Sequence, residues 1–152
     1  GLFVQAEGAS FPALTKAGGL DVRAKGASFP ALTKVGGLEV QAEGASFPAL
    51  TEAGRLYVRA EGASFPALTK VDGGLDVRAK GASFPALGRV IAFSTWALVL
   101  LRDGQLSAGC RGPFTRQQAL QHWDRSDARA RLFTAAIRRE IPPDTRSAGE
   151  PR

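Results

Sequence analysis

The first 90 positions are five near-copies of one unit of 18 residues, running 1–18, 19–36, 37–54, 55–73 and 74–90. A unit this short cannot enclose a core of its own, so a tandem array of it must bury each copy's apolar face against its neighbours. In the second copy Leu20, Val22 and Ala24 alternate with Asp21, Arg23 and Lys25, the pattern of a strand with one dry and one wet face. Gly26 and Ala27 read as a turn. Phe29, Leu32 and Val35 then recur at every third position, which suits a 3₁₀ or irregular return, and Pro30 removes a ladder donor in the same stretch. Gly36 and Gly37 read as the turn into the next strand.

These columns repeat down the array. Leu2, Leu20, Leu38, Leu56 and Leu75 form one, Val4, Val22, Val40, Val58 and Val77 a second, and Phe11, Phe29, Phe47, Phe65 and Phe84 a third. Coils stacked at the strand spacing of about 4.8 Å would lay like over like, giving one parallel sheet and one irregular wall. Asp72 lengthens the fourth copy by one residue, beside glycines where an insertion is expected to disturb the stack least. On Phe29, Leu32, Val35, Leu38 and Val40, which give an L-x-x-L-x-x-L-x-x-L-x-L spacing, and on the recurring P-A-L-T-K-V-G-G string, the array resembles leucine-rich repeats. It resembles more closely still the short receptor-L-domain-like variants found in bacterial and phage proteins. That resemblance implies a right-handed solenoid. Where the family places a ladder Asn this chain has Glu7, Lys25, Glu43, Glu61 and Lys80, so a generic β-solenoid stands as the alternative geometry.

The chain has no Met and opens in phase with its repeat, which reads as the continuation of a longer array whose first coils are missing. On that reading Leu2, Val4, Phe11 and Leu14 face solvent at an open edge, and any signal peptide lies upstream. The net charge of +6 divides into +2 over positions 1–90 (10 basic, 8 acidic) and +4 over 91–152 (10 basic, 6 acidic), and every Lys lies in the repeats. A lone cysteine, Cys110, excludes an internal disulfide framework and favours a reducing, cytoplasmic setting. The longest apolar run, positions 90–101, is shorter than the ~20 residues of a membrane span. It reads as a buried strand, and no membrane association is expected.

Beyond position 90 the period vanishes, and positions 91–141 read as a small α+β module. Segments 97–101 and 105–108 flank Arg102, Asp103 and Gly104, a hairpin signal. Thr115 and Gln118 fit a capping box for a helix reaching about Trp123. A second helix is expected from about Asp127 to Glu140, with Leu132, Phe133, Ala136 and Ile137 on one face and Pro142 and Pro143 as its stop. Positions 142–152 read as a disordered tail. The stretch AGCRGPFTRQQALQHWDR is similar to C-terminal segments of uncharacterised phage and prophage proteins, a resemblance that implies such an origin and carries no activity.

Three kinds of function compete. Cys110 and His122 are the only residues of their types, so a thiolate–imidazole pair, with Asp124 orienting the ring, is the one nucleophilic arrangement available. Against it, the same residues serve equally as a buried small side chain and a helix residue beside Trp123. Arginines 125, 129, 131, 138 and 139 put positive charge along the last helix and make nucleic acid a second partner class. The third candidate is the outward face of the strands, where Phe3 and Gln5, Asp21 and Arg23, Glu39 and Gln41, Tyr57 and Arg59, and Asp76 and Arg78 vary over a nearly invariant scaffold. Exposed sheets of solenoids are partner surfaces, although such positions also vary simply because packing leaves them free.

The reading adopted is a mainly β protein: a leucine-rich-repeat-like solenoid of five coils, followed by an α+β module that packs on and caps the last one. Its expected role is non-catalytic binding of another protein through Asp21, Arg23, Glu39, Gln41, Tyr57, Arg59, Asp76 and Arg78. No cofactor and no metal is expected.

Overall fold

In a computed structural model, which describes residues 1–108, 111–141 and 143, the repeats stack as a β-solenoid in register. Strands β1 (Leu2–Val4), β2 (Lys16–Val22), β3 (Lys34–Val40) and β4 (Glu52–Val58) pair in parallel, and β4 continues to β5 (Lys70–Val71) and β6 (Leu75–Val77). Leu20 lies opposite Leu2 and Leu38, and Val22 opposite Val4 and Val40, so each column runs straight through the stack. Opposite the sheet, Ser10, Ser28, Ser46, Ser64 and Ser83 form a second, one-residue ladder of parallel bridges.

Burial follows the repeat. Phe29, Phe47, Phe65 and Phe84, together with Leu32, Leu50 and Leu68, are essentially inaccessible to solvent. The Phe11, Phe29 and Phe47 rings stack with centroids 5.1 Å apart and planes within 4°, so ring spacing follows the coil spacing. A column of threonines closes the return. The Thr33 hydroxyl donates to the Thr15 carbonyl at 3.1 Å while the Thr33 N–H donates to the same oxygen at 2.9 Å, and Thr51 and Thr69 repeat this one and two coils on.

The place of a ladder Asn is filled differently. Gly8, Gly26 and Gly62 donate their N–H groups to the carbonyls of Lys25, Glu43 and Lys80 in the next coil, so the charged residue contributes its backbone and turns its side chain to water. These corner glycines sit at positive φ, 65–77° from Gly8 to Gly62 and 76° at Gly81, where a Cβ would be strained.

Three expectations need correcting. Gly36 and Gly37 are not a turn: they lie inside β3, and the chain passes straight through them. At Gly36 glycine is required by close approach, since a Cβ there would run into the Gly18 carbonyl oxygen, as one on Gly54 would into that of Gly36, whereas Gly37 has open space around it. The insertion at Asp72 therefore interrupts the equivalent strand of the fourth copy with a bend between β5 and β6, and Leu56 regains register opposite Leu75. At the first coil Val4 is buried, covered from the side of Val22, and only Leu2, Phe11 and Leu14 stay half-exposed.

The apolar run at 90–101 is likewise two strands and not one. β7 (Gly88–Ser94) and β8 (Trp96–Leu101) form a hairpin whose turn is Thr95 at φ 64°, because the polar Ser94 and Thr95 interrupt the run. β8 then pairs with β9 (Leu106–Ala108), and β9 with β10 (Arg111–Phe114), in a four-stranded antiparallel sheet. The alternation of β8 divides its side chains between two cores: Ala97 and Val99 join the solenoid interior, while Leu98 packs with Leu106, Ala108 and the helices. The Arg102 guanidinium clamps the Pro85 carbonyl at 2.6 and 2.8 Å, fastening the β8–β9 turn to the last coil.

Helix α1 (Arg116–His122) carries the expected capping box, with the Thr115 hydroxyl accepting from the Gln118 N–H and the Gln118 side chain accepting from the Thr115 N–H. Helix α2 (Ala128–Glu140) starts at an Asp127 cap and buries Ala130, Phe133, Ala136 and Ile137, whereas Leu132, expected on that face, is exposed. Arg89 on β7 holds Glu140 at 2.8 Å, and that hydrogen bond, ahead of the one from Arg139, keeps the carboxyl below its ordinary 4.5. Of the expected tail at 142–152, only Pro143 is among the described residues.

Two contrasts test this architecture. Phe47→Ala removes a ring from the middle of the stack and should cost about 3–5 kcal/mol, whereas Tyr57→Ala on the outer face should cost about 0.5 kcal/mol or less in urea melts. Gly36→Ala should lower stability by about 1–3 kcal/mol through the backbone clash, whereas Gly18→Ala, with open space around its Cβ position, should leave the midpoint near wild type.

Candidate interaction surface

The outward positions of the sheet form two straight columns. Phe3, Asp21, Glu39, Tyr57 and Asp76 are mutual neighbours across successive strands, and Gln5, Arg23, Gln41, Arg59 and Arg78 follow each of them by two residues. Polar contacts knit the columns. Arg23 meets Asp21 at 3.2 Å, the Gln41 amide donates to Glu39 at 2.6 Å, and Arg59 approaches the same carboxylate at 3.8 Å. The Arg23 guanidinium also lies 4.8 Å from the centre of the Phe3 ring, which is half-exposed.

Among these side chains lies a shallow hollow of about 350 Å³. Phe3 and Tyr57 line its ends, Gly19 and Gly37 form part of its floor without side chains, and Asp21, Glu39 and Arg55 supply charge. The alternation in the sequence marks the two columns but not Arg55 or the glycines. The in-register pairing, which sets Arg55 opposite Gly37, was the signal that would have found them.

The strip ends before the fifth coil. Asp76, expected at the surface, is 4% exposed: Arg78 holds both its oxygens at 3.1 Å, and the Trp96 ring lies 5.7 Å beyond the Arg78 guanidinium. Trp96 in turn carries Arg129 at 3.7 Å, so the C-terminal module closes over this end and takes Asp76 out of any contact surface. A buried carboxylate is tolerated only with such a partner.

The arginines of the last helix do not form one stripe. Arg129 packs on Trp96 and donates to the Thr95 hydroxyl at 3.2 Å, and Arg139 pairs with Glu140 and reaches the Ile91 carbonyl. Arg131 and Arg138 point to the other side, into a cleft between α1 and α2 that Arg116 and Arg125 also line. The helical period separates these groups, since 131 and 138 share a face that 129 does not.

His122 stacks on Phe114 at 5.0 Å and meets Trp123 edge-on at 5.0 Å, inside the aromatic cluster of the second core. Asp124 is exposed and lines the interhelical cleft. Cys110 lies outside the described residues, so its distance from His122 enters no argument. Among the described residues no three His, Cys, Asp or Glu side chains gather as a metal site, and no helix is long and apolar enough to cross a membrane.

The in-register stack of coils defines a β-solenoid repeat protein. No protein-family model, curated protein or solved structure matches the chain.

The two carboxylate–arginine pairs of the strip separate experimentally. Arg78→Ala strands a buried Asp76 and should destabilise by about 1–3 kcal/mol, while Arg23→Ala, beside the more exposed Asp21, should cost about 0–1 kcal/mol in the same denaturation assay.

Proposed function

We propose that the protein is a non-catalytic binding module that takes a protein partner on the outer sheet face of its first four coils. The observation that carries this reading is the hollow between Phe3 and Tyr57, a concavity with aromatic ends and charged sides on the outer sheet face. Aromatic side chains offer large contact area at little cost in conformational entropy, and flanking charges select the partner and orient it. The contact residues are Phe3, Asp21, Arg23, Glu39, Gln41, Tyr57 and Arg59, with Arg78 at the margin.

We place the module with the leucine-rich-repeat-like, receptor-L-domain-like proteins of bacteria and phages. The Phe29, Leu32, Val35, Leu38 and Val40 spacing supports that placement, and the likeness of the segment around Phe114–His122 to prophage proteins supports the source. The corner in which glycine N–H groups replace an Asn ladder is this chain's departure from the family.

The test is affinity capture with wild type, with Arg23→Glu combined with Arg59→Glu, and with Tyr57→Ala. Both strip variants should fold as wild type by circular dichroism and lose the proteins that wild type retains. Capture of the same proteins by all three would reduce the outer sheet to a solvated face.

A further inference from the structure

The cleft between α1 and α2 encloses about 660 Å³ and is lined by Arg116, Arg125, Arg131 and Arg138, with Asp124 its one acidic residue. Two of these arginines are committed elsewhere: Arg116 donates to the Ile141 carbonyl at 2.7 Å, and Arg125 pairs with Asp127 at 3.3 Å. Arg131 and Arg138 are exposed and make no side-chain hydrogen bond or ion pair with any described residue. They stand seven residues apart on one face of a helix that is fixed from behind by Phe133 and Ile137. The guanidiniums are thus presented by a rigid support, with the Gln117 and Gln121 amides on the facing helix.

From this arrangement we propose that the interhelical cleft binds the phosphodiester backbone of a nucleic acid. A separation of seven helical residues is about 10 Å along the axis, which sets the two guanidiniums far enough apart to meet separate phosphates and not the same one. A planar guanidinium takes a phosphate in bidentate fashion. Insertion into a lipid surface demands an exposed apolar helix face, and the apolar face of α2 is buried in the second core. No aromatic side chain lines the cleft to stack on a base, so recognition is of the backbone and independent of sequence. The site lies on the C-terminal module and owes nothing to the solenoid face.

The experiment is fluorescence anisotropy of a labelled 20-base-pair duplex DNA titrated with the whole chain between 50 and 200 mM salt. Wild type should bind with a steep salt dependence, and Arg131→Gln with Arg138→Gln should weaken binding on the order of tenfold and lower the slope of log K against log salt by about two. Lysine at both positions should preserve the slope. A distant charge control, Lys25→Gln with Lys80→Gln, should leave the affinity near wild type. Duplex binding unchanged in the double glutamine variant, or lost equally in the distant control, would overturn the proposal. So would binding confined to phosphatidylserine vesicles or to polyglutamate with none to the duplex.

Discussion

Everything in this molecule hangs on the main-chain pairing of each coil with the next. The Leu20 to Leu38 to Leu56 register decides at one stroke which side chains lie over which. Each strand supplies N–H and C=O groups that only a neighbouring coil can satisfy, and burying them unpaired would cost more than any single side-chain contact returns. Identity of the units makes this inexpensive, because the geometry that satisfies one junction satisfies the next. The phenylalanine stack, the threonine hydroxyl ladder and the corner glycines follow from that register, each being one residue type repeated at one backbone position. Even the fourth unit, one residue too long, tears its own strand and keeps the register.

A stack built this way has an exposed interior at each end, and the C-terminal module answers the problem at one of them. Its device is a strand with two dry faces. Ala97 and Val99 complete the solenoid interior while Leu98 begins a second core around Phe133 and Ile137, so one element seals the array and founds the α+β module. The Arg78, Trp96 and Arg129 stack adds a polar seam on the sheet side, and Arg102 a clamp at the opposite corner. The strip of variable residues is shortened at that end, which leaves Phe3 and Tyr57 as its most accessible aromatics.

Much of this was legible in the sequence because repetition amplifies it. One copy of Phe29, Leu32 and Val35 is an ambiguous spacing; five copies in phase fix the inward columns, and the capping box at Thr115 and the Asp-Gly hairpin are local signals with local causes. What escaped depended on distance through space. Paired glycines announce a turn in isolation, and only the carbonyl of Gly18 beneath Gly36 shows that even the first carbon of a side chain has nowhere to go. Asp76 carries the alternation of an outward residue, and its burial comes from a module twenty positions later. The cleft between α1 and α2 required knowing how two helices face each other, which places Arg116 beside Arg131 and Arg138 across an interval that no motif marks.

The uniform junctions have a geometric corollary for the array itself. Where every interior boundary is the same boundary, a whole unit added or removed between β2 and β4 changes no angle and no contact at the capped end; it only moves that end by one strand spacing, about 4.8 Å. The span of the outer face is therefore counted in whole steps. Length is thereby set by the number of units and surface chemistry by single residues, two quantities that leave each other alone.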